Sequence, residues 1–349
     1  MSYPPQVLLL YCSDYTIARF GNSRKEFPPL GLLYLAAACE QANIHVQLLD
    51  IASTSDSDLP FYDIIGLSIN SSYVYPSFKK KSPIIRSRCK YMLVGGQHTT
   101  LFPKQTLEDL NADFALIGEG EISLPKLILA LYNKAPIEIN GVYKRSSSLK
   151  YICKEPQRIE NLDALPFPSR HLLPREDILL QNRIPYHDVY STTIITSRGC
   201  PYNCNFCGNI YKKFYHRSGE NVLKEIQFIQ SQYPEIKGIV FMDENLLFSL
   251  DHSKDIISVM SHFNLKWTCN ARADGFTQEI LPFLRNSGCV EIKYGIESGC
   301  QKILTAMNKG ITIQTIEQTL KQTSNAGINT KLRYSKWRSY QYKIIKWRK

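Results

Sequence analysis

Three cysteines fall within eight residues in RGCPYNCNFCGN (Arg198–Asn209): Cys200, Cys204 and Cys207, spaced C-x3-C-x2-C. Thiolates bind soft metals, so zinc and iron–sulfur clusters are the candidates. A structural zinc takes four ligands, usually from paired C-x2–4-C units. No second pair stands nearby, although Cys12 or Cys269 could act as a distant fourth ligand. Three thiolates alone suit a four-iron, four-sulfur cluster whose remaining iron is open to a substrate or cofactor. Incidental cysteines are the third reading. Gly199 and Pro201 flank the first thiol and let the backbone turn tightly. The other seven cysteines, Cys12, Cys39, Cys89, Cys153, Cys269, Cys289 and Cys300, are scattered, as small buried hydrophobes in a reducing compartment would be.

The elements that must position this loop read as alternating strands and helices. VLLLYC (Val7–Cys12) is a buried strand, and PPLGLLYLAAACEQ (Pro28–Gln41) is a helix entered through prolines. VQLLDI, DIIGLSI, YMLVGG and DFALIGEG follow as strands, and EISLPKLILALYN as a helix. Such alternation means a doubly wound parallel sheet, which binds ligands beyond the carboxyl ends of its strands. We assign it to residues 1–138. Residues 139–188, with a small hairpin and the proline-rich LDALPFPSRHLLP, form a linker. From TTIITSRG (Thr192–Gly199) a second α/β series runs over 189–330. It suggests a partial, incomplete (β/α) barrel with chemistry on the loops after its strands. In the helix GENVLKEIQFIQSQY, Val222, Ile226 and Ile229 share a face.

Composition narrows the function. The chain has 349 residues, 44% hydrophobic and 21% charged, a globular balance. Its net charge of +11 is concentrated at residues 331–349, KLRYSKWRSYQYKIIKWRK; without those eight cations the rest carries +3. Basicity is therefore no general argument for nucleic acid. Runs such as LLYLAAAC are too short to span a bilayer, and the N-terminus lacks the basic start of a signal peptide. A cytoplasmic location is the default.

CPYNCNFC, including the aromatic Phe206 before the third cysteine, resembles the signature of radical S-adenosylmethionine (radical SAM) enzymes. In that family a cluster on three cysteines leaves one iron for the amino and carboxylate groups of SAM. The reduced cluster cleaves SAM to methionine and a deoxyadenosyl radical, which implies an electron donor such as flavodoxin or ferredoxin. The resemblance extends to FMDEN, where Asp243, Glu244 and Asn245 would meet the SAM amino end. It extends to NARADG, where Arg272 would face the SAM carboxylate, and to GIES, where Glu297 would accept from the ribose hydroxyls. The N-terminal half resembles the cobalamin-binding domain of one large radical SAM group. Ser68, Gly95, Gly96 and His98 are the implied cobalamin contacts, the glycines giving room for a bulky corrin. No D-x-H-x-x-G stretch supplies a lower histidine ligand. The GEGE stretch would meet the corrin or seal the domain interface.

The resemblance implies a small-molecule substrate and either methyl transfer or ring formation. It lapses after Gly327, where at most five barrel strands fit. We read the end as truncated, with an exposed apolar flank, poor solubility and weak activity. The rival is a basic helix bearing Trp337, Tyr340, Ile344 and Trp347. Two other functions compete. One is a radical methylthiotransferase acting on RNA, with Cys12, Cys39 and Cys89 holding a second cluster. The other is a non-catalytic metal-binding module with a basic nucleic-acid-binding tail.

Overall fold

The computed structural model describes residues 5–13, 27–55, 59–145, 151–209, 211–275 and 278–334. The basic segment from 335 onward, with its four spaced apolar residues, lies outside them. The chain divides into two compact units, 1–160 with 164–178, and 161–163 with 179–349.

The first unit is built on β1 (Val7–Tyr11), β2 (Val46–Asp50), β3 (Tyr62–Ser68), β4 (Cys89–Gly95) and β5 (Phe114–Leu116). They pair in parallel in the order β2-β1-β3-β4-β5. That order reverses direction between β1 and β3, which makes the sheet doubly wound with a switch point there. Helices cover both faces, so strand residues are apolar on both sides. Leu8 and Leu10 lie in one core layer with Phe78 of α2 (Tyr75–Ser87). Val7 and Leu9 lie in the other with Leu32 and Ala36 of α1 (Leu30–Gln41). α1 is apolar nearly all round because it is buried nearly all round. On the far side of β4 follow α3 (Gln97–Leu101) and α4 (Pro103–Leu110), and α5 (Ser123–Tyr132) closes the series.

The small hairpin does not behave as part of a linker. β6 (Val142–Arg145) pairs antiparallel with β5, and β7 (Tyr151–Cys153) pairs with β6. The open edge of β5 is thereby covered, and the hairpin belongs to the first unit.

The second unit carries β8 (Tyr190–Ile194), the two-residue ribbon β9 (Ser197–Arg198) and β10 (Tyr215–His216), and α6 (Gly219–Gln232). Then come β11 (Ile236–Phe241), α7 (Leu250–Ser261), β12 (Lys266–Ala271), α8 (Leu281–Asn286) and β13 (Cys289–Glu297). α9 (Gln301–Ala306), α10 (Ile313–Asn325) and β14 (Asn329–Tyr334) complete it. β8, β11, β12, β13 and β14 pair in parallel in sequence order. This is the winding of a barrel segment, not of a doubly wound sheet. Ser218, Ser249 and Thr312 cap three of the helices by accepting from Asn221, His252 and Thr315 backbone N–H groups. As the periodicity predicts, Val222, Ile226 and Ile229 are wholly buried. Trp267 is also wholly buried, its indole N–H donating to Ser287 O at 2.9 Å.

Candidate active site

The cysteine loop leaves the end of β8 and is pinched at its base. Arg198 pairs with Tyr215 and Ser197 with His216 in the β9–β10 ribbon, and Cys200 N–H donates to Tyr211 O at 3.0 Å. Gly199 turns with φ +93°, a left-handed conformation that glycine adopts without strain. Within the loop, Cys207 N–H donates to Cys204 O at 3.1 Å.

A second segment braces it. The turn after α9 accepts Asn205 N–H at Met307 O (2.9 Å) and Asn205 Nδ2 at Ala306 O (3.0 Å). Asn308 Nδ2 returns a bond to Asn203 O at 2.7 Å. These carbonyls end a short helix and would otherwise lack donors.

Arg272, at the end of β12, is buried beneath the loop. Its Nη1 approaches Cys204 Sγ at 3.6 Å, and its guanidinium lies 3.6 Å from the centroid of the Tyr202 ring. Asp274 grips it with both carboxylate oxygens, at 2.9 and 2.8 Å. Burial alone would lower the arginine's pKa, but Asp274 outweighs it and the net direction is upward. Lys309 Nζ sits 3.4 Å from Glu297 Oε1 and 5.7 Å from the Phe206 ring. A Cβ on Gly295 would come within 3.1 Å of Glu297 Oε1, so this glycine makes room for the ion pair. Glu297 itself has φ +65°, a strained conformation for a residue with a side chain.

Cys204, Phe206, Arg272 and Glu297 are thus joined in one network, together with Tyr202, Asp274 and Lys309, which the sequence reading passed over. Tyr202 stood inside the signature itself. Lys309 stood ahead of α10, which begins at Ile313, outside any motif quoted above. Glu244 is exposed and accepts from Asn209 Nδ2 at 2.8 Å, tying the end of β11 to the loop. Asp243 is placed differently from expectation. It is 1% exposed, and its carboxylate accepts from Thr196 N–H (3.0 Å), Thr196 Oγ1 (2.8 Å) and Ser197 Oγ. Its oxygens are occupied inside the fold, which leaves Glu244 as the outward carboxylate of the pair. Burial pushes the Asp243 pKa up. Asn245 Oδ1 accepts from Arg272 N–H at 3.1 Å.

Among the described residues no three Cys, His, Asp or Glu side chains close on a point as a single ion would require. The donor set nevertheless fits a cluster. Three thiols share one loop, and the buried Arg272 guanidinium reaches the middle one, Cys204. Asn245 Nδ2 is buried with no partner among the described residues, a costly state that a polar ligand would relieve.

In the first unit, Ser68 and Gly95 are register partners at the carboxyl ends of β3 and β4. Gly96 has φ +98°, and a Cβ there would lie 2.6 Å from the backbone of Ile69. The chain's own backbone therefore already requires glycine at this position. Gly95 keeps ordinary distance from Leu116, 3.8 Å. His98 is buried between Tyr75 and Phe102, with ring centroids at 4.2 and 5.3 Å. Its Nδ1 bonds Ser72 Oγ at 2.9 Å, while Nε2 has no partner among the described residues. Burial lowers its pKa, which favours the neutral ring. An orphaned ring nitrogen near the carboxyl end of β4 fits a polar group of a cobalamin. Within GEGE, Glu119 pairs with Arg158 at 2.8 Å, and Glu121 is buried.

The second-cluster expectation fails on packing. Cys12 and Cys89 lie in one core layer and Cys39 in the other, so the sheet stands between them. Burial pushes the Cys39 thiol up to about 12 and that of Cys89 up to about 11. They are small core hydrophobes.

The fold and site together define an α/β protein with a ligand-binding doubly wound sheet ahead of a barrel segment bearing a thiolate loop. Residues 18–128 match the B12 binding domain and residues 194–336 the Radical SAM superfamily. An uncharacterized methyltransferase of Pyrococcus horikoshii is 29% identical over 327 residues, covering 86% of this chain and 68% of the relative. Cytidylyl-2-hydroxyethylphosphonate methyltransferase of Streptomyces wedmorensis is 24% identical, covering 93% and 71%. The cobalamin-dependent SAM radical enzyme OxsB superposes with a TM-score of 0.78 at 22% identity, covering 94% of this chain and 49% of that one. The radical SAM methyltransferase TsrM of Kitasatospora setae superposes with a TM-score of 0.74 at 16% identity, covering 95% and 67%. The chain belongs to the radical SAM enzymes that carry a cobalamin-binding domain. Its cofactors are a [4Fe–4S] cluster, SAM and cobalamin. Among the described residues no helix is long and apolar enough to cross a membrane.

Proposed function

We propose that this enzyme methylates a carbon of a small organic molecule, with the cluster held by Cys200, Cys204 and Cys207. When bound, the cluster and SAM supply a deoxyadenosyl radical, and cobalamin supplies the methyl group. The chain's own residues position these groups. Asn205, Asn308 and the turn after α9 fix the shape of the cysteine loop. Glu244 and the Asn245 amide offer an acceptor and a donor for the amino-acid end of SAM. Glu297, steadied by Lys309, offers an acceptor for its ribose. Ser68, Gly95 and His98 line the cobalamin end of the first sheet. We place the enzyme in the cytoplasm, with flavodoxin or ferredoxin as its electron donor.

The observation that carries this reading is the cysteine loop braced against Arg272 and the turn after α9, in a chain that also matches a B12 binding domain. Ring formation is the second reading. It is favoured by an anaerobic magnesium-protoporphyrin IX monomethyl ester cyclase of Synechocystis, 24% identical over 323 residues. Anaerobic reconstitution with iron and sulfide, followed by dithionite and SAM, tests the chemistry. Deoxyadenosine should form, and Cys204→Ala should abolish it. Hydroxocobalamin added to the same sample should show a protein-bound visible spectrum. Wild-type protein that takes up no iron, or yields no deoxyadenosine, sinks the proposal.

A further inference from the structure

Arg272 makes contacts of two kinds. Three tie the structure together: the grip of Asp274, a 2.6 Å bond from Nη2 to Lys309 O, and the stack on Tyr202. The fourth runs from Nη1 to Cys204 Sγ and is the one of the four that reaches a thiol. It brings a fixed cation to one thiol of the loop. The Arg272 side chain is 6% exposed and that of Asp274 21%, so the charge is poorly screened by water.

We propose that Arg272 is a positioning residue that donates a charge-assisted hydrogen bond to the Cys204 thiolate and raises the reduction potential of the cluster on that loop. This rests on the reading of the loop as a cluster site. The step concerned is the gain of one electron, with no proton, from a low-potential one-electron donor. That electron adds one negative charge shared with the thiolates. A cation and N–H fixed at Cys204 stabilise the reduced form more than the oxidised one. Hydrogen bonds to sulfur and local charge are two of the levers that set such potentials. Arginine suits the task because its planar fork can hold Asp274, the Lys309 carbonyl and a sulfur at the same time. Asp274 sets the fork's direction and also offsets part of its charge.

The two residues therefore give opposite signs. Wild type, Arg272→Gln and Asp274→Asn are reconstituted anaerobically, and iron and sulfide are counted. Each is then titrated with dithionite without SAM, following the reduced cluster by electron paramagnetic resonance. Arg272→Gln should hold about tenfold less reduced cluster at a fixed potential, a shift of ~59 mV downward for one electron. Asp274→Asn removes a negative charge and should shift the midpoint upward. A purely structural buckle would lower iron content and leave the midpoints in place, or move both the same way. Either result overturns the inference. If Arg272→Gln loses its cluster, Asp274→Asn decides alone: an upward shift supports the proposal, and no shift or a downward one overturns it. Wild-type protein without iron overturns the cluster-site reading and takes this inference with it. A wild-type cluster with unmoved midpoints overturns the inference alone.

Discussion

In the first unit, β1 buries Leu8 and Leu10 on one side and Val7 and Leu9 on the other, all at 2% exposure or less. In the second, β12 alternates Trp267 and Cys269 with Thr268 and Asn270. Thr268 shares its side of the sheet with Lys293, whose Nζ reaches Thr268 Oγ1 at 3.2 Å. Burial lowers the Lys293 pKa, with Lys331 and Arg333 of the neighbouring strand adding to the effect. A sheet wrapped on both faces leaves ligands only the ends of its strands. A barrel segment keeps one polar face, and its chemistry-bearing residues can reach inward from several strands. The difference shows again at the strand ends, where the first unit uses glycine and backbone and the second uses buried ion pairs and hydroxyls.

The largest effect should come from the buried pair Arg217–Glu225, whose side chains are 5% and 1% exposed. Removing one partner strands a charge in the interior, which costs about 3–5 kcal/mol. Glu225→Ala should therefore unfold the second unit far more readily in urea. Hydrogen exchange should rise in peptides from β8 and β11 and stay unchanged in β1 and β3. Equal loss in both units would show that the two do not differ as proposed.

His252 supplies the next effect, and it depends on pH. Thr196 Oγ1 donates to Asp243, so the 2.9 Å contact with His252 must be donated by Nε2, leaving Nδ1 bare in the interior. Burial, then the nearby charges of His216 and Arg217, push the His252 pKa down to about 3. Below pH 6.5 an unfolded chain takes up a proton that folded His252 refuses. Stability is thus lost as pH falls from 6.5 toward 3, by up to ~1.4 kcal/mol per unit, or about 2 kcal/mol by pH 5. Asp243, with its raised pKa, gives the opposite slope above 3.8, so the difference between wild type and His252→Gln isolates the histidine. Urea midpoints of the two proteins should converge between pH 7.5 and 5; parallel curves would refute the assignment.

Gly96→Ala probes the other side of the comparison. Positive φ and a 2.6 Å approach to the Ile69 backbone both oppose a methyl group there. We expect a loss of about 1–3 kcal/mol in the first unit, measured without cobalamin. A variant of full stability that only binds cobalamin less well would support the corrin reading of this glycine.

Much of this was legible in the sequence. The alternation of strand and helix marked both sheets, because buried parallel strands must be continuously apolar and their helices amphipathic. The cysteine loop was legible because its spacing is local. What stayed hidden depends on contacts between distant residues. Arg272 and Cys204 are 68 positions apart, and Asn308 and Asn203 are 105 apart. Which way Asp243 turns is set by the hydroxyls of Thr196 and Ser197, in the segment that follows β8. That Gly96 answers to Ile69 follows from the neighbouring strand, since no local pattern distinguishes a glycine opened for a ligand from one opened for the chain. The hairpin at 142–153 read as a linker because the free edge of β5, which it covers, exists only in the folded sheet.

The smallest effect sharpens the same contrast at a helix entrance. Ser218 caps α6 by accepting Asn221 N–H at 3.1 Å, and its own N–H donates to Asp163 at 3.0 Å. In the first unit α1 enters behind Pro29 with no side-chain cap, held instead by burial on nearly every face. Ser218→Ala leaves one N–H without its side-chain acceptor, which costs about 1 kcal/mol. Asn221 also accepts from Arg217 Nε through Oδ1 at 2.6 Å, so loosening the cap should loosen the grip on the Arg217–Glu225 pair. A Ser218→Ala, Glu225→Ala double-mutant cycle measures that link. Strict additivity would mean the cap and the buried pair act independently; a coupling above about 0.5 kcal/mol would make them one polar unit.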